Sequence, residues 1–537
     1  MLPRLAARPP TQGLRSVPRS APLMAARVSM VANHFSSSSS ASASASASNP
    51  STSAPDEAAP APVLFEAVHS LRKIILNRPK ALNSLNDDMV NLIQPQLEKF
   101  EQSDLANVVL IKSNSKHFCA GGDVVSLVKA LDHEESWKKA SGFFKKEYTM
   151  NHFLATMNKP VVAFMQGVAF GGGLGLSMHG AFRVATETTQ VAMPETKIGL
   201  FPDVGANFFL PRLDGQLGLY LALTSSPLKG AGAYFAGFST HYVPSERLAA
   251  LETRLAELEA TATLDTVNSV INEYSADADE LKLALKAYPL VGPIRRALDL
   301  IFAGKTAEAI LADLEKLEEG SFDLKKIVRE GEEVDTGALQ KWAKETREQI
   351  ELRSPTSVKL AIKAIREGRK LNIDEVFTMD TRIAAACCSP EVHTDFKTGV
   401  TEFLIKKIKP EDVLPPWTPA TLPEVTDQHI QRTFFASPPP FTNPPVSKLN
   451  LSRKNRLNAL PAYKVSPHAR FALPTENRIA EVVRGEAKDS GDYAMTRKEV
   501  VARFVAEFAG KVGVREKVDE VLDRRTVVGE QDTLRWV

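Results

Sequence analysis

Three short segments of the chain combine glycines with acidic residues in an arrangement that suits chemistry on a carbonyl group. They are residues 118–123 (FCAGGD), 166–180 (QGVAFGGGLGLSMHG) and 193–205 (MPETKIGLFPDVG). Glycines between a strand and a helix let the backbone approach a ligand closely, and the N–H groups at the helix start point toward it. Such N–H groups stabilise a developing oxyanion, while a nearby carboxylate acts as a base or a nucleophile. The three segments therefore predict a site that binds and attacks a carbonyl group.

The carboxylate is expected from Glu195 or Asp203, which lie eight residues apart in a loop rich in proline and glycine. This spacing is compatible with two acids that line one cleft. It is also compatible with solvated charges, or with side chains that stabilise a turn or cap a helix. The spacing alone leaves both interpretations open.

The elements that must position these segments are predicted from hydrophobic periodicity and turn residues. Strand-like runs alternate with helical segments up to about residue 210, which indicates an α/β architecture with right-handed crossovers. Strands are predicted at 63–68, 71–76, 108–112, 161–164 and 182–185, with a helix at 86–101. Amphipathic helices dominate the rest, at 245–261, 277–287, 292–302, 306–317, 355–366, 371–388, 496–510 and 515–523.

The three glycine-containing segments resemble the signature of the crotonase (enoyl-CoA hydratase/isomerase) superfamily and, within it, of the 3-hydroxyisobutyryl-CoA hydrolases of valine breakdown. The resemblance runs from about residue 74 to 419. It implies a crotonase-like (ClpP/crotonase) core of ββα units wound into a superhelix, with a helical C-terminal half. Further segments that carry it are 76–83 (LNRPKALN), 181–187 (AFRVATE), 210–213 (LPRL), 354–359 (SPTSVK) and 417–419 (WTP).

This resemblance implies a role for each matching residue. The N–H groups of Gly122 and Gly172 would form the oxyanion hole for the thioester carbonyl. Glu195 would be the catalytic carboxylate, which either activates water or forms an acyl intermediate. Asp203 would orient the substrate and assist proton transfer, and Glu147 would contact the acyl group at its hydroxyl.

One position departs from the pattern of the hydratases in the superfamily. They carry a second Glu where this chain has Gly175, so an acid/base group needed to add water across a double bond is absent. The resemblance therefore implies thioester hydrolysis. Coenzyme A, held largely by the backbone of residues 120–123, would be part of the substrate, and no separate cofactor or metal is expected. Three residues near the site are predicted to be packing residues, namely His117, Cys119 and His179.

The first 60 residues predict a mitochondrial transit peptide followed by a low-complexity linker. Five arginines, no lysine and no acid precede Asp56, and a Ser/Ala repeat occupies residues 36–48. Three cysteines in 537 residues indicate no disulfide framework, which suits the reducing matrix. The uncharged run at 161–182 contains six glycines and is interpreted as strand, turn and helix rather than a membrane span.

The hydrolase resemblance ends near residue 420 and leaves an extension, residues 421–537, without a catalytic explanation. Residues 428–475 contain no acid, seven Lys or Arg residues and many prolines, which predicts extended basic chain. Such chain with interspersed aromatic rings suits an RNA surface, a solvated tail, or an arm packed on the enzyme or on a second subunit. Fungal hydrolases with such extensions resemble a constituent of the mitochondrial small ribosomal subunit, which implies rRNA and ribosomal proteins as partners of residues 428–537.

Overall fold

A six-stranded sheet forms the centre of the computed structural model, in the order β1-β2-β3-β4-β6-β9. β1 and β2 form an antiparallel hairpin, and all the later pairs are parallel, as the alternation of strands and helices predicts. β3 and β4 consist almost entirely of buried apolar residues, which is typical of strands covered on both faces. The sheet is built from β1 (Val63–Val68), β2 (Leu71–Leu76), β3 (Val108–Ser113), β4 (Val161–Met165), β6 (Phe182–Ala185) and β9 (His241–Tyr242).

A second sheet of three short strands lies next to the glycine-rich segments. It has the order β5-β7-β8, with β5 and β7 parallel and β8 antiparallel to β7. Its strands are β5 (Val168–Phe170), β7 (Gln190–Ala192) and β8 (Leu228–Lys229), and a separate hairpin near the C-terminus contains β10 (Thr526–Val528) and β11 (Leu534–Trp536). The structure describes residues 60–130, 137–259, 261–409, 413–454, 456, 459–491 and 493–537. The predicted transit peptide therefore lies outside the described residues, apart from Pro60.

Helices cover the sheets and make up most of the second half of the chain. In the α/β core they are α1 (Asp87–Gln102), α2 (Val124–Ala130), α3 (Trp137–Thr156), α4 (Gly172–Ser177), α5 (Ala206–Phe209), α6 (Leu217–Thr224) and α7 (Ala231–Phe235). The helical half contains α8 (Leu248–Ala256), α9 (Leu264–Tyr274), α10 (Ala278–Leu285), α11 (Gly292–Ile301), α12 (Ala307–Glu318), α13 (Thr336–Glu351), α14 (Pro355–Gly368), α15 (Ile373–Cys387) and α16 (Asp395–Val400). The extension contains α17 (Asp427–Ile430), α18 (Glu476–Val483), α19 (Arg497–Glu507) and α20 (Val514–Arg525).

The predicted elements agree closely with these bounds, except that one helix is shorter than predicted. Several elements of the structure were not predicted. The helix predicted at 245–261 is shorter, because a 3-10 turn at Ser245–Arg247 precedes α8. A capping box of Thr496 and Glu499 begins α19, and the side chain of each residue accepts from the backbone N–H of the other. The pattern did not lead us to predict several helices, among them α3, α6, α9, α13 and α18, or the short strands β5, β7 and β8.

The extension packs on the part of residues 60–420 that the structure describes, which we call the body. This packing was one of the alternatives that its composition left open. Of its aromatic residues, Phe434 and Phe471 are buried, and the ring of Phe471 lies 4.8 Å from that of Phe182 in the sheet. Three of the seven basic residues in 428–475 form ion pairs with carboxylates of the body, namely Arg453 with Asp374, Arg456 with Glu101, and Arg470 with Asp265. The prediction of extended chain over residues 428–475 is confirmed at 436–454, which contain no helix or strand. It is wrong at 428–435, where α17 continues into the π-helix Gln431–Phe435 and buries Ile430 and Phe434.

Buried charges from the extension and from the body meet in one cluster at the surface of α11. We call it the ionic cluster. Lys517 and Arg524 of α20 donate to carboxylates that have almost no contact with solvent. The members of the ionic cluster are Asp214, Arg295, Asp299, Glu476, Lys517, Glu520, Arg524 and Arg525.

Candidate active site

Backbone pairing places the two glycine turns side by side. Cys119 forms an isolated parallel bridge with Ala169 of β5, so the turn after Cys119 follows the same direction as the turn after β5. A Cβ atom built on Gly172 would lie 3.2 Å from the amide nitrogen of Gly122. Among the described residues, the N–H groups of Gly122 and Gly172 donate to no backbone carbonyl. Two neighbouring N–H groups are therefore available to a ligand oxygen.

Glu195 reaches these N–H groups through the parallel pairing of β5 and β7. The N–H of Gly171, directly after β5, donates to the carbonyl of Ala192 at the end of β7, three residues before Glu195. Gly171 has φ +43, and a Cβ atom there would lie 2.5 Å from Oε1 of Glu195. Glycine is favoured at this position because a residue with a side chain rarely adopts φ +43 with ψ −114, and because its Cβ would displace the Glu195 carboxylate. The Glu195 carboxylate thus lies next to the start of α4.

Glu147 and Tyr148 bring further polar groups to the site from α3. A Cβ atom on Gly172 would lie 2.6 Å from Oε1 of Glu147, so this carboxylate also lies against the glycine turn. The hydroxyl of Tyr148 donates to Oδ2 of Asp203 at 2.7 Å. All three acids are buried, with Glu147 exposing 1% of its surface, Glu195 5% and Asp203 4%. The acids are therefore not solvated turn residues, which was the alternative that their spacing left open.

The loop that carries Asp203 is held in a strained conformation by buried groups. Val204, a β-branched residue, has φ +51, a conformation that costs on the order of 1–3 kcal/mol. The buried carboxylate of Asp380 accepts from the N–H of Gly205 at 3.0 Å and from the side chain of Asn207 at 2.7 Å. Sequence reasoning missed Tyr148 and Asp380, because each of them lies far along the chain from the loop it contacts.

The burial of three neighbouring carboxyl groups raises their pKa values. Burial, together with the nearby Asp203, raises the pKa of Glu147 and of Glu195 well above the usual range for glutamate. Burial raises the pKa of Asp203 to about 7, against a lowering contribution from the Tyr148 hydrogen bond. Near neutral pH Asp203 can therefore both take up and release a proton.

Replacing Asp203 by Asn is expected to stabilise the fold at alkaline pH. Asp203 ionises near pH 3.8 when unfolded and near 7 when folded, so its contribution to stability falls as pH rises between these values. Asn can still accept from Tyr148 and carries no buried charge. We expect Asp203→Asn to raise the free energy of unfolding by about 2–4 kcal/mol at pH 8 and to change it little at pH 4. Urea unfolding at both pH values checks this, and an equal difference at the two would contradict it.

Two of the acids have an oxygen that no described residue contacts by a hydrogen bond. These atoms are Oε1 of Glu147 and Oε2 of Glu195, both buried. An unpaired buried acceptor is costly, so the site is suited to a ligand or water that donates to these oxygens. With the two free N–H groups, the arrangement can hold a carbonyl oxygen on one side and place a carboxylate beside the carbonyl carbon.

The residues predicted to be packing residues have structural contacts. Burial raises the pKa of the Cys119 thiol to about 12, which makes it a poor nucleophile. Nε2 of His179 lies 2.8 Å from the carbonyl oxygen of Val204, and burial lowers the pKa of His179 to about 4, so the neutral ring donates to it. Nδ1 of His117 accepts from the N–H of Val168.

Comparison with known proteins identifies the family. The enoyl-CoA hydratase/isomerase family matches residues 71–434, which is more than half of the chain. The chain belongs to this family. A member of the enoyl-CoA hydratase/isomerase family is expected to have a crotonase-like α/β fold, and two solved structures agree. They are a carnitinyl-CoA dehydratase from Mycobacterium thermoresistibile (TM-score 0.57, 29% identity, 72% of this chain and 98% of that one) and an enoyl-CoA hydratase from Rhodobacter sphaeroides 2.4.1 (TM-score 0.54, 27%, 69% and 96%).

Named relatives of this chain include proteins of two kinds. The 3-hydroxyisobutyryl-CoA hydrolase of Danio rerio is 39% identical over 69% of this chain and 89% of its own, and that of Homo sapiens is 38% identical over 69% and 88%. The small ribosomal subunit protein mS47 of Neurospora crassa is 39% identical over 87% of this chain and 86% of its own. Both hydrolases are named as mitochondrial, and the predicted mitochondrial location is confirmed by these relatives. In the part of this family member that the structure describes, no helix combines the length and apolarity needed to cross a membrane.

Proposed function

We propose that the protein hydrolyses the thioester of 3-hydroxyisobutyryl-CoA to 3-hydroxyisobutyrate and free CoA. One observation carries the proposal: the buried Glu195 carboxylate lies against the glycine turn at which two N–H groups are free to bind a carbonyl oxygen. The hydrolase names of relatives that match nearly their whole length support the choice of substrate. CoA belongs to the substrate, so the proposed reaction uses no separate cofactor.

In the proposed reaction the thioester oxygen accepts hydrogen bonds from the N–H groups of Gly122 and Gly172. Each such donor typically contributes roughly 3 kcal/mol to transition-state stabilisation. Glu195 then acts in one of two ways. It removes a proton from water as the water oxygen attacks the carbonyl carbon, or its own oxygen attacks and forms an anhydride that water cleaves. In both cases the C–S bond breaks and the CoA sulfur takes a proton.

Asp203 and Glu147 complete the proposed site. Asp203, with its pKa of about 7, can exchange the proton that passes from water to the sulfur. Glu147 contacts the acyl group from the α3 side, where its Oε1 is unpaired. CoA runs along the backbone of residues 120–123, where Asp123 is held by Arg78 at 3.1 Å.

The reaction class is tested by offering two thioesters to the full chain. With 3-hydroxyisobutyryl-CoA we expect free CoA and 3-hydroxyisobutyrate in equal amounts by mass spectrometry. With the corresponding unsaturated thioester, methacrylyl-CoA, we expect no addition of water, because Gly175 supplies no second carboxylate. Hydration of methacrylyl-CoA without thioester cleavage would show that the protein is a hydratase.

The similarity to the ribosomal relative covers more of the chain than the similarity to the hydrolases. This difference favours a second function, attachment to the small ribosomal subunit. The hydrolase relatives match about 69% of the chain, and the family match ends at residue 434. The match to mS47 covers 87%, more than residues 1–434 alone can supply, so it must continue into the extension. We propose that the extension holds the protein on the small subunit through rRNA or ribosomal proteins. A mainly structural role on the ribosome remains the alternative to catalysis.

The cations proposed to contact RNA are Lys448, Lys454 and Lys464, because their side chains are exposed. Replacing all three by Gln is expected to lower co-sedimentation with the small subunit at least about tenfold at moderate salt, since each phosphate contact adds to the salt-dependent affinity. Sucrose-gradient fractions of mitochondrial lysate measure this. The matched control replaces three exposed lysines of the body, Lys145, Lys282 and Lys341, and should sediment like the unmodified chain. A full chain that never travels with the subunit at low salt would refute ribosome attachment.

A further inference from the structure

Asn151 is a fully buried polar residue that lies four residues after Glu147 on α3. Neither its side-chain oxygen nor its side-chain nitrogen has a hydrogen-bonding partner among the described residues. A buried polar group without a partner is costly, and here both ends of one amide are unpaired. Such a side chain is expected to bind a group that comes from outside the chain.

Two glycines of α4 make room for the polar side chains of α3. A Cβ atom on Gly172 would lie 2.6 Å from Oε1 of Glu147, and one on Gly175 would lie 2.7 Å from Nδ2 of Asn151. Residues spaced by three or four positions lie on one face of a helix, so the two polar residues and the two glycines form facing rows. Asn151 is therefore the next unpaired polar group along this face, after the Gly172 N–H and the Glu147 carboxyl group.

The place where Asn151 meets Gly175 also adjoins the strained loop of the site. The same Cβ atom on Gly175 would lie 2.9 Å from Cβ of Val204, the residue next to Asp203. The amide of Asn151 is thus enclosed between Glu147, Gly175 and the loop of Asp203. It belongs to the same enclosed region as the acids and is not assigned a task by the proposed chemistry.

We propose that the Asn151 amide hydrogen-bonds the hydroxyl group of the bound acyl chain, in addition to the contact expected from Glu147, and so selects hydroxyacyl thioesters over plain acyl thioesters. A hydroxyl both donates and accepts, so it can pair with either end of the amide. In a 3-hydroxyacyl group the hydroxyl oxygen lies three bonds from the carbonyl carbon. Gly175 lies three residues beyond Gly172, roughly 4.5 Å along the helix, which matches that reach. The inference rests on the proposed hydrolase function and assigns its acyl specificity.

The test compares two thioesters that differ only in the hydroxyl, 3-hydroxyisobutyryl-CoA and isobutyryl-CoA, with the full chain. Asn151→Leu keeps the size of the side chain and removes its hydrogen bonds. We expect kcat/KM for the hydroxy substrate to fall at least about tenfold, because a site that pairs a substrate hydroxyl discriminates strongly through it. For isobutyryl-CoA the change should stay within about threefold.

Binding measured without turnover separates this inference from the proposed reaction. In a Glu195→Gln background, calorimetry gives the dissociation constants of both thioesters with and without Asn151→Leu. We expect the preference for the hydroxy thioester to fall at least about tenfold in the double variant. If the unmodified chain releases no CoA, the hydrolase proposal fails, while this ratio still tests Asn151.

Two further variants keep the result interpretable. Lys145→Ala, at an exposed position of α3, should leave both substrates unaffected. If Asn151→Leu fails to fold, Asn151→Ser takes its place in the test. Ser retains a donor and an acceptor on a smaller side chain, so this variant should show the same selective loss to a lesser degree. An equal loss on both thioesters would show that Asn151 pairs with water or supports the fold, and an unchanged preference would show no contact with the hydroxyl. Either result overturns the proposal.

Discussion

Replacing Glu195 by Gln is expected to lower kcat for CoA release from 3-hydroxyisobutyryl-CoA by about 10²–10⁴-fold, the range for loss of a general base. Gln keeps the shape of the side chain beside Gly171 but can neither take a proton nor attack the thioester. Burial and Asp203 raise the pKa of Glu195, so the unmodified carboxylate is a stronger base than an exposed glutamate. A thiol-release assay at pH 8 measures the loss.

The structure offers a control that separates this chemical effect from unfolding. Because an ionised Glu195 is buried and has an unpaired oxygen, Glu195→Gln removes a costly charge and should not lower the melting temperature. Glu246→Gln, at an exposed position, should change neither property. Activity of Glu195→Gln within about threefold of the unmodified protein would exclude Glu195 as the catalytic carboxylate.

Replacing Arg524 by Met is expected to lower the free energy of unfolding by about 3–5 kcal/mol, the usual cost of removing one partner from a buried ion pair. The guanidinium exposes 1% of its side chain and donates to Glu476 at 2.9 Å, Glu520 at 2.7 Å and Asp299 at 3.3 Å. Burial alone would lower the pKa of Arg524, but these carboxylates raise it above its ordinary value. Met fills much of the same space and leaves the carboxylates of the ionic cluster without this cation.

Arg497→Met is the matched control. Arg497 also pairs with two carboxylates, Asp519 and Asp523, but exposes 44% of its side chain, so its loss should cost about 0–1 kcal/mol. Urea unfolding at pH 7, followed by circular dichroism, compares the two variants. Because the ionic cluster joins the extension to the body, Arg524→Met should lower the stability of the extension and of the body alike. Equal and small effects would mean that the ionic cluster does not hold the extension in place.

The fold could be predicted from the sequence where local patterns decide structure. The buried strands β3 and β4 are continuous apolar runs, so their positions follow from composition. Helix α13 was also readable in principle, because Asp335 caps it and its buried residues recur every three or four positions, but we did not predict it. The extended character of residues 436–454 followed from their prolines.

The site was predicted only in part, because its geometry depends on contacts between distant segments. The resemblance supplied Glu195, Asp203 and Glu147. The structure places Glu195 and Glu147 against the glycine turns, and Asp203 accepts from Tyr148, the neighbour of Glu147. No local pattern shows that Tyr148 bonds Asp203 55 residues away, or that Asp380 holds the loop 175 residues away. The catalytic roles of Glu195, Asp203 and Glu147 stay predictions until they are measured.

The extension shows a second limit of sequence patterns. Its composition gives the number of positive charges but does not show which carboxylates form ion pairs with them. Arg453 makes two 2.8 Å hydrogen bonds with Asp374 of α15, and Arg470 binds Asp265 of α9. Part of the charge that suggested an RNA surface is therefore neutralised within the chain. The exposed lysines remain available to a partner.

The most direct test of the account is the initial rate of CoA release when the folded full chain is mixed with 3-hydroxyisobutyryl-CoA. The two free N–H groups beside the buried Glu195 predict steady turnover well above spontaneous hydrolysis, with one 3-hydroxyisobutyrate formed for each CoA. The raised pKa values of the site predict that this rate increases from acidic pH through neutrality, as the buried acids lose protons. A folded protein that releases CoA no faster than buffer at any pH would contradict the assignment of this site to thioester hydrolysis.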